Sequence, residues 1–242
     1  MAEDAPGAIP LIPLFPVHAD LRFPDAFEGL SYDRYLEGYL AQTRAGALAF
    51  DYYPFFDPSR RLPEYLTNFA LARDVARRRG VPLWYYAGIV RPAGAESPTP
   101  ARIRFQVNLA LAHGARAIFH YTYRTPPGDT MGPVRTDGTV DEERWNAVRA
   151  INLETVALLD ATEGWSVAEV IHGSTADVRR AKDVSVEDGV SVALFTRDRE
   201  RLALLVNRQV ADQAVRTVRV RIAGWTGTAS LDPGGARLLR VD

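Results

Sequence analysis

Residues 65–90 read YLTNFALARDVARRRGVPLWYYAGIV, and the fold is decided by how this stretch is punctuated. From Tyr65 to Arg79 the apolar positions Leu66, Phe69, Ala70, Val75 and Ala76 recur at the spacing of one helical face. Arg77, Arg78 and Arg79 crowd the last turn, where cations complement the helix dipole, and Gly80 follows as a stop. Val81 to Val90 is then a short apolar run, the mark of a buried strand. Helix, glycine and buried strand make one turn of an alternating α/β chain.

The same unit recurs on both sides. Before it, Tyr32 to Arg44 has apolar residues at helical spacing behind Ser31, a cap residue. Gly46 closes that helix, and Ala47 to Phe50 runs as a strand into Asp51, Tyr52, Tyr53 and Pro54. After it, Thr99 and Pro100 open a helix that ends at Gly114, and Ala117 to Tyr123 is the next strand. Glu142 to Leu159 is a further helix. Leu11 to Phe15, bounded by prolines, reads as a first strand. Four βα units predict four parallel strands covered by helices, which is half of an eight-unit barrel. A doubly wound sheet is the other architecture of this pattern, but no G-x-G-x-x-G or Walker A sequence supports a nucleotide site in it.

After Gly164 the period changes. Val190 to Phe195, Leu202 to Val206, Val215 to Ile222 and Ala236 to Val241 are short β-rich runs, the third alternating strictly, and Arg197 to Glu200 reads as a hairpin connection. The expected organisation is therefore a (β/α) half-barrel over residues 1–165 and an antiparallel β-sandwich-like domain over 166–242.

Composition narrows the function classes. The 242 residues are 47% hydrophobic and 24% charged, with a net charge of -1, which suits a folded domain and offers no surface for nucleic acid or anionic membrane. No apolar run reaches the length of a membrane helix. There is no cysteine, so disulfides and thiolate chemistry are absent. His18, His113, His120 and His172 lack ligand spacing, and neither a metal nor a cofactor is expected. Met1 to Pro10 carries Glu3 and Asp4 and no basic region, so no secretory leader is read; the compartment stays open, with the cytoplasm as default.

Barrel enzymes place their chemistry at the C-terminal ends of the strands. Three predicted strand ends here are rich in polar aromatics: Phe50 to Phe56, Leu83 to Gly88, and Phe119 to Arg124. Sugar sites need aromatic faces against pyranose C–H surfaces and carboxylates for hydroxyls. Strand alternation requires about half of these rings to be buried instead. Asp51, at a strand mouth, is the sharpest candidate for a catalytic carboxylate, against a plain turn role beside Pro54. Tyr53, Trp84, Tyr86, His120, Tyr121 and Tyr123 are candidates for substrate binding, His120 equally readable as a satisfied buried histidine. Arg91 and Arg124 are rim cations.

These segments also resemble a known family. Ala49-Phe50-Asp51-Tyr52-Tyr53-Pro54 is similar to the sixth-strand segment of glycoside hydrolases related to family 42, the β-galactosidases, which ends in Trp/Phe-Asp-x-Tyr-Pro. Leu111 to Ala115 followed by Phe119 to Arg124 resembles the family's eighth strand and the helix end before it. Tyr32 to Leu36 and Asn152 suit such barrels, and Leu204 to Arg208 resembles a strand of their C-terminal β-domain. The resemblance implies a glycoside hydrolase-like protein that binds or cleaves a sugar, and a chain that opens near the fifth barrel strand. It also implies two departures. The family's acid/base glutamate follows the fourth strand, and its nucleophilic glutamate falls on Ala87. Glycoside hydrolysis normally uses two carboxylates, and beyond Asp51 only loop residues such as Glu96 and Asp129 are at hand. The alternatives are a catalytically silent carbohydrate-binding protein, or a barrel fragment completed by a missing N-terminal half or as a homodimer.

Overall fold

The structure, a computed structural model, describes residues 11–23, 25–56, 62–90, 98–125, 132–173, 184–211 and 214–241. Arg91, Glu96 and Asp129 lie outside them, as does the stretch before residue 11. The chain begins with a short helix α1 (Ala19–Arg22) and then α2 (Tyr32–Thr43), β1 (Leu48–Asp51), α3 (Leu62–Arg79), β2 (Leu83–Gly88), α4 (Pro100–Ala112), β3 (Ala115–Tyr121) and α5 (Glu142–Ala161). The strands pair in parallel in the order β1-β2-β3.

Helix boundaries follow local chemistry. The Thr99 hydroxyl accepts from Arg102 N–H at 3.3 Å and opens α4, with Pro100 at its first turn. The Asp141 carboxylate accepts from Arg144 N–H at 3.1 Å and opens α5. Gly80, at φ +65°, ends α3 in a backbone region that other residues rarely adopt. Helix α2 stops at Arg44, itself left-handed, two residues before the expected Gly46.

One expected strand is corrected. Residues 11–15 do not form a full fourth strand; they contribute a single parallel bridge, Leu14 to Phe50, in which Leu14 N–H donates to Ala49 O at 2.9 Å. The physical reason is local. Pro13 and Pro16 have no N–H to give a ladder, and the chain turns into α1 three residues later.

Helices cover one face of the parallel sheet. Phe50 and Tyr85 pack against Phe69 of α3, with ring centroids 5.0 and 4.9 Å apart. Ala87, fully buried, belongs to the same core. The opposite face carries Trp84, Tyr86 and Phe119 and is only partly covered.

From Ser166 onward the chain is antiparallel: β4 (Ser166–His172), β5 (Val184–Val186), β6 (Val190–Arg197), β7 (Glu200–Asn207), β8 (Arg216–Ile222), β9 (Trp225–Leu231) and β10 (Ala236–Val241). They form a four-stranded sheet β10-β7-β6-β4 and a three-stranded sheet β5-β8-β9. The reversal at Asp198, φ +54°, is the expected hairpin. Alternation in β7 shows how the layers stack. Ala203 and Leu205 enter a core shared with Val218, Val220 and Leu231 of the small sheet, while Leu204 and Val206 enter the core that contains α4. Both faces of β7 are therefore apolar, as its sequence is. Helix α4, buried almost all round, is held between the parallel sheet and this second sheet. The Asn108 amide donates to Gly234 O at 2.9 Å across that contact. The chain is thus a half-barrel joined to a β-domain. Among the described residues, no helix is long and apolar enough to cross a membrane.

Candidate functional site

Strand register fixes which side chains meet. Asp51, Tyr86 and Phe119 are lateral partners in one row, so they stand side by side on one face of the sheet. Their neighbours toward the core side, Phe50 and Tyr85, point the other way into the helix layer. Around the row the rings are continuous. Tyr86 stacks on Phe119 at 4.8 Å, and Phe119 meets Trp84 at 5.8 Å. Tyr53 stacks on Tyr121 at 5.4 Å and on Phe56 at 4.6 Å. Offset pairs of this kind hold each ring in place while leaving its outer face open. The result is a broad aromatic floor with one carboxylate in it.

That carboxylate is tuned by its surroundings. Asp51 is half-buried, and burial raises its pKa above the ordinary carboxylate value. A hydrogen bond donated by the Tyr53 hydroxyl opposes the rise by favouring the ionised form. Tyr53 pays the reciprocal effect: burial first, then the charge of Asp51, push its hydroxyl up, so it stays a donor at neutral pH.

The helix layer positions the mouth. The Tyr85 hydroxyl donates to Tyr52 O at 2.7 Å, pinning the backbone just after Asp51. With that proton committed, the 2.8 Å contact between Tyr65 and Tyr85 hydroxyls has Tyr65 as donor. Gln106 of α4 grips the end of β2 from both sides, accepting from Gly88 N–H at 3.0 Å and donating to Gly88 O at 3.2 Å. Gly88 itself is required by the site. A Cβ there would come within 2.9 Å of the Tyr53 and Phe56 rings, which lie directly over it.

Of the residues expected at the site, Asp51, Tyr53, Trp84, Tyr86 and Tyr121 come together on the open face. His120 and Tyr123 do not join them. His120 is the lateral partner of Ala87, one step out of phase, and turns toward α5. Its Nε2 lies 2.7 Å from Asn152 Oδ1, which makes Nε2 the protonated nitrogen and leaves Nδ1, buried and without a hydrogen bond among the described residues, as the lone-pair side. Burial lowers its pKa, the Asn152 bond opposing this in part, so the ring is neutral at pH 7. Tyr123 meets Trp145 of α5 at 6.0 Å. These residues line an apolar groove of about 610 Å³ between β3 and α5, together with Ile118, Val148 and Val156. Arg124 holds the following loop by donating to Thr136 O. Phe56 and Phe119 are site residues that the sequence reading passed over. The signal for Phe119 was parity, since it stands two residues before Tyr121 on the same strand.

Ala87 also changes meaning. Its side chain lies in the helix-side core, so a carboxylate at this position would point away from the open face. Among the described residues no group of three His, Cys, Asp or Glu side chains is placed to hold a metal ion.

Neither a known protein family nor a curated protein matches this sequence. Solved structures do match in fold. A catalytic mutant of Gan42B, a GH42 beta-galactosidase from G. stearothermophilus, superposes with a TM-score of 0.58 over 99% of this chain at 10% identity. This chain has a distant glycoside hydrolase-like fold. It spans 64% of the length of that enzyme, and at such low identity the likeness speaks for fold alone. Weaker overlaps, carrying no weight here, are found with a cyclic alpha-maltosyl-(1-->6)-maltose hydrolase from Arthrobacter globiformis, TM-score 0.39, 11% identity, over 87% of this chain and 54% of that one. The same holds for a glycoside hydrolase family 30 xylanase, Xyn30A, from Clostridium acetobutylicum, TM-score 0.29, 12% identity, over 85% and 58%.

Proposed function

We propose that this chain binds a carbohydrate on the open aromatic face of its half-barrel, with Asp51 as the hydroxyl anchor. The single observation that carries the reading is the row of Asp51, Tyr86 and Phe119, extended by Trp84 on one side and by Tyr53 and Tyr121 on the other. A pyranose has an apolar C–H face and a rim of hydroxyls. The stacked rings offer the flat apolar surface, and the Asp51 carboxylate, steadied by the Tyr53 hydroxyl, offers a charged acceptor beside it. The glycoside hydrolase-like fold adds support, because strand C-terminal ends are where barrel proteins bind their ligands. One carboxylate on this face suffices for binding, whereas hydrolysis between two carboxyl groups needs a second one across the sugar.

The test is binding of a panel of galactosides, glucosides and mannosides, measured by titration calorimetry, for the unmodified chain and Asp51→Asn. Loss of a charge-assisted hydrogen bond costs about 1.5–3 kcal/mol, so affinity for the preferred sugar should fall roughly ten- to a hundredfold with the fold intact. Unchanged affinity in a folded Asp51→Asn protein would remove Asp51 from the site, and no affinity for any of the panel would end the reading.

A further inference from the structure

Helix α5 carries two apolar faces, and the core accounts for one of them. Its buried residues are Arg144, Ile151 and Thr155, and Ile151 belongs to the main core. The other face is built from Trp145, Val148, Asn152 and Val156, at steps of three and four, with Leu153 beside them. Trp145, Leu153 and Val156 are 38%, 63% and 55% exposed, and Tyr123, whose ring meets Trp145, is 62% exposed. Apolar side chains gathered on a surface in this way mark a place where something binds. With β3 opposite, they wall the groove of about 610 Å³, a size suited to a small organic ligand.

The groove adjoins the sugar surface through one residue. Phe119 lines the groove, and it also stands in the row with Asp51 and Tyr86. Its ring stacks on Tyr86 at 4.8 Å on the open face. The next residue, His120, turns to α5 and lines the groove. A single strand therefore serves both surfaces, and the ring of Phe119 is the boundary between them. A molecule seated on Tyr86 and Phe119 has the groove within reach across the width of one ring.

We infer that the ligand is an aryl glycoside, with its sugar on the floor beside Asp51 and its aromatic aglycone in the groove between β3 and α5. The inference rests on the function proposed above and names the class of its ligand. Two observations favour an aromatic group over a second sugar residue in the groove. First, each buried hydroxyl of a sugar needs a hydrogen-bond partner, and the groove has few to give. His120 Nε2 and Asn152 Oδ1 are already bonded to each other at 2.7 Å, and His120 Nδ1 is buried. Arg149 is the one charged residue among those lining the groove, and it is exposed at the rim. Second, Phe119, Tyr123 and Trp145 put three rings on the walls, which suit the offset and edge contacts that an aromatic guest makes. The volume admits two fused rings. Polar floor and apolar groove are thus divided as an aryl glycoside is divided.

The test compares the methyl and 2-naphthyl glycosides of the sugar that the unmodified chain prefers, by titration calorimetry. An aromatic group exposes about 150 Å², and covering half of it in an open groove should tighten binding roughly twentyfold over the methyl glycoside. Trp145→Ala, on the exposed face of α5 and in a residue that helices favour, should cut that ratio to about fivefold and leave the methyl glycoside's affinity unchanged. Leu153→Arg, which sets a charge in the groove, should also lower the ratio. Asp51→Asn should weaken both glycosides by the same factor, because it touches the sugar alone. Equal affinity for the two glycosides would overturn the inference and leave the carbohydrate reading standing, as would a preference for naphthyl that neither groove variant alters. Naphthyl binding that depends on Trp145 but not on Asp51 would show that one ligand does not span the two surfaces, and would overturn the inference too. If neither glycoside of any sugar in the panel binds, the carbohydrate reading itself fails. Sedimentation at the concentrations used covers the remaining occupant: a dimer of the unmodified chain that Leu153→Arg dissociates would give the groove to a second copy, against the inference.

Discussion

Acidification from pH 7.5 to 5 should destabilise this protein, and His172 supplies a magnitude. His172 ends β4, is 5% exposed, and has its Nδ1 2.7 Å from the Ser191 hydroxyl. Its ring lies 5.6 Å from that of His113, which is tied through Nδ1 to Leu109 O at 2.9 Å. The charged groups facing the pair, Arg73 of α3 and Arg208 after β7, are both cationic. Burial first, and then these cations, hold the His172 pKa down at about 3, and His113 is lowered well below its ordinary value by burial and by its neighbours. Unfolded, each imidazole titrates near ~6.5. A depressed histidine binds fewer protons folded than unfolded, so its contribution is fully present above ~6.5 and is lost as the pH falls from there toward 3. Between pH 7.5 and 5 the loss from His172 alone is about 2 kcal/mol, with His113 adding in the same direction. Against a total stability of ~5–15 kcal/mol this shifts a urea midpoint by roughly 1 M. Urea unfolding at pH 7.5, 6.5 and 5, on the unmodified chain and on His172→Gln, measures it. The unmodified midpoint should fall between pH 6.5 and 5, and His172→Gln should lose about 2 kcal/mol of that fall whatever its stability at pH 7.5. A midpoint independent of pH, or an unchanged slope in His172→Gln, would refute the reasoning.

Three further outcomes follow from packing. Ala87→Glu should lower the thermal midpoint and add no hydrolytic activity to that of the unmodified chain, because it buries an unpaired carboxylate at a cost of several kcal/mol instead of adding one to the open face; full stability with new turnover would contradict the assigned strand phase. Gly234→Ala should destabilise by about 2–3 kcal/mol or more in chemical denaturation, since φ is +67° and the new Cβ would fall 2.1 Å from Ala101 O, a backbone atom that cannot yield. Tyr53→Phe removes the hydrogen bond that favours ionised Asp51, so the Asp51 carboxyl resonance should titrate at higher pH by NMR and sugar affinity should fall; an unmoved titration would detach Tyr53 from Asp51.

Much of the architecture was legible because several helices announce one of their ends. Thr99 with Pro100 and Gly80 are local signals, and they act locally in the structure; Asp141, which caps α5, is a signal of the same kind that went unread. The run at Leu11 misled because its apolar content suits a strand while its prolines permit only one bridge. Strand β9, WTGTASL, went unread because small and polar residues give it little apolar contrast; its burial follows from lying on β8, a non-local fact. In the candidate site, Asp51, Tyr53, Trp84, Tyr86 and Tyr121 were grouped from their place at strand ends, and the strand register sets them on one face. His120 was grouped with Tyr121 although adjacent strand residues face opposite sides. Exposed rings close to the mouth hid that parity, and only the register of Ala87 with His120 reveals it.

Helix α4 has a consequence for how such a chain can be reshuffled. Its residues are walled in on one flank by Tyr85 and its neighbours and on the other by β7 and the turn at Gly234. A gene fusion that cut after Gly164 and moved the β-strands to another host would leave Leu204 and Val206 facing water, and would strip α4 in the remainder. Only a new host offering a helix of the same girth, with an amide where Asn108 reaches Gly234 O, could accept the transplant. The two halves of this molecule therefore hold each other, like a mortise and its tenon, through a helix whose burial needs both.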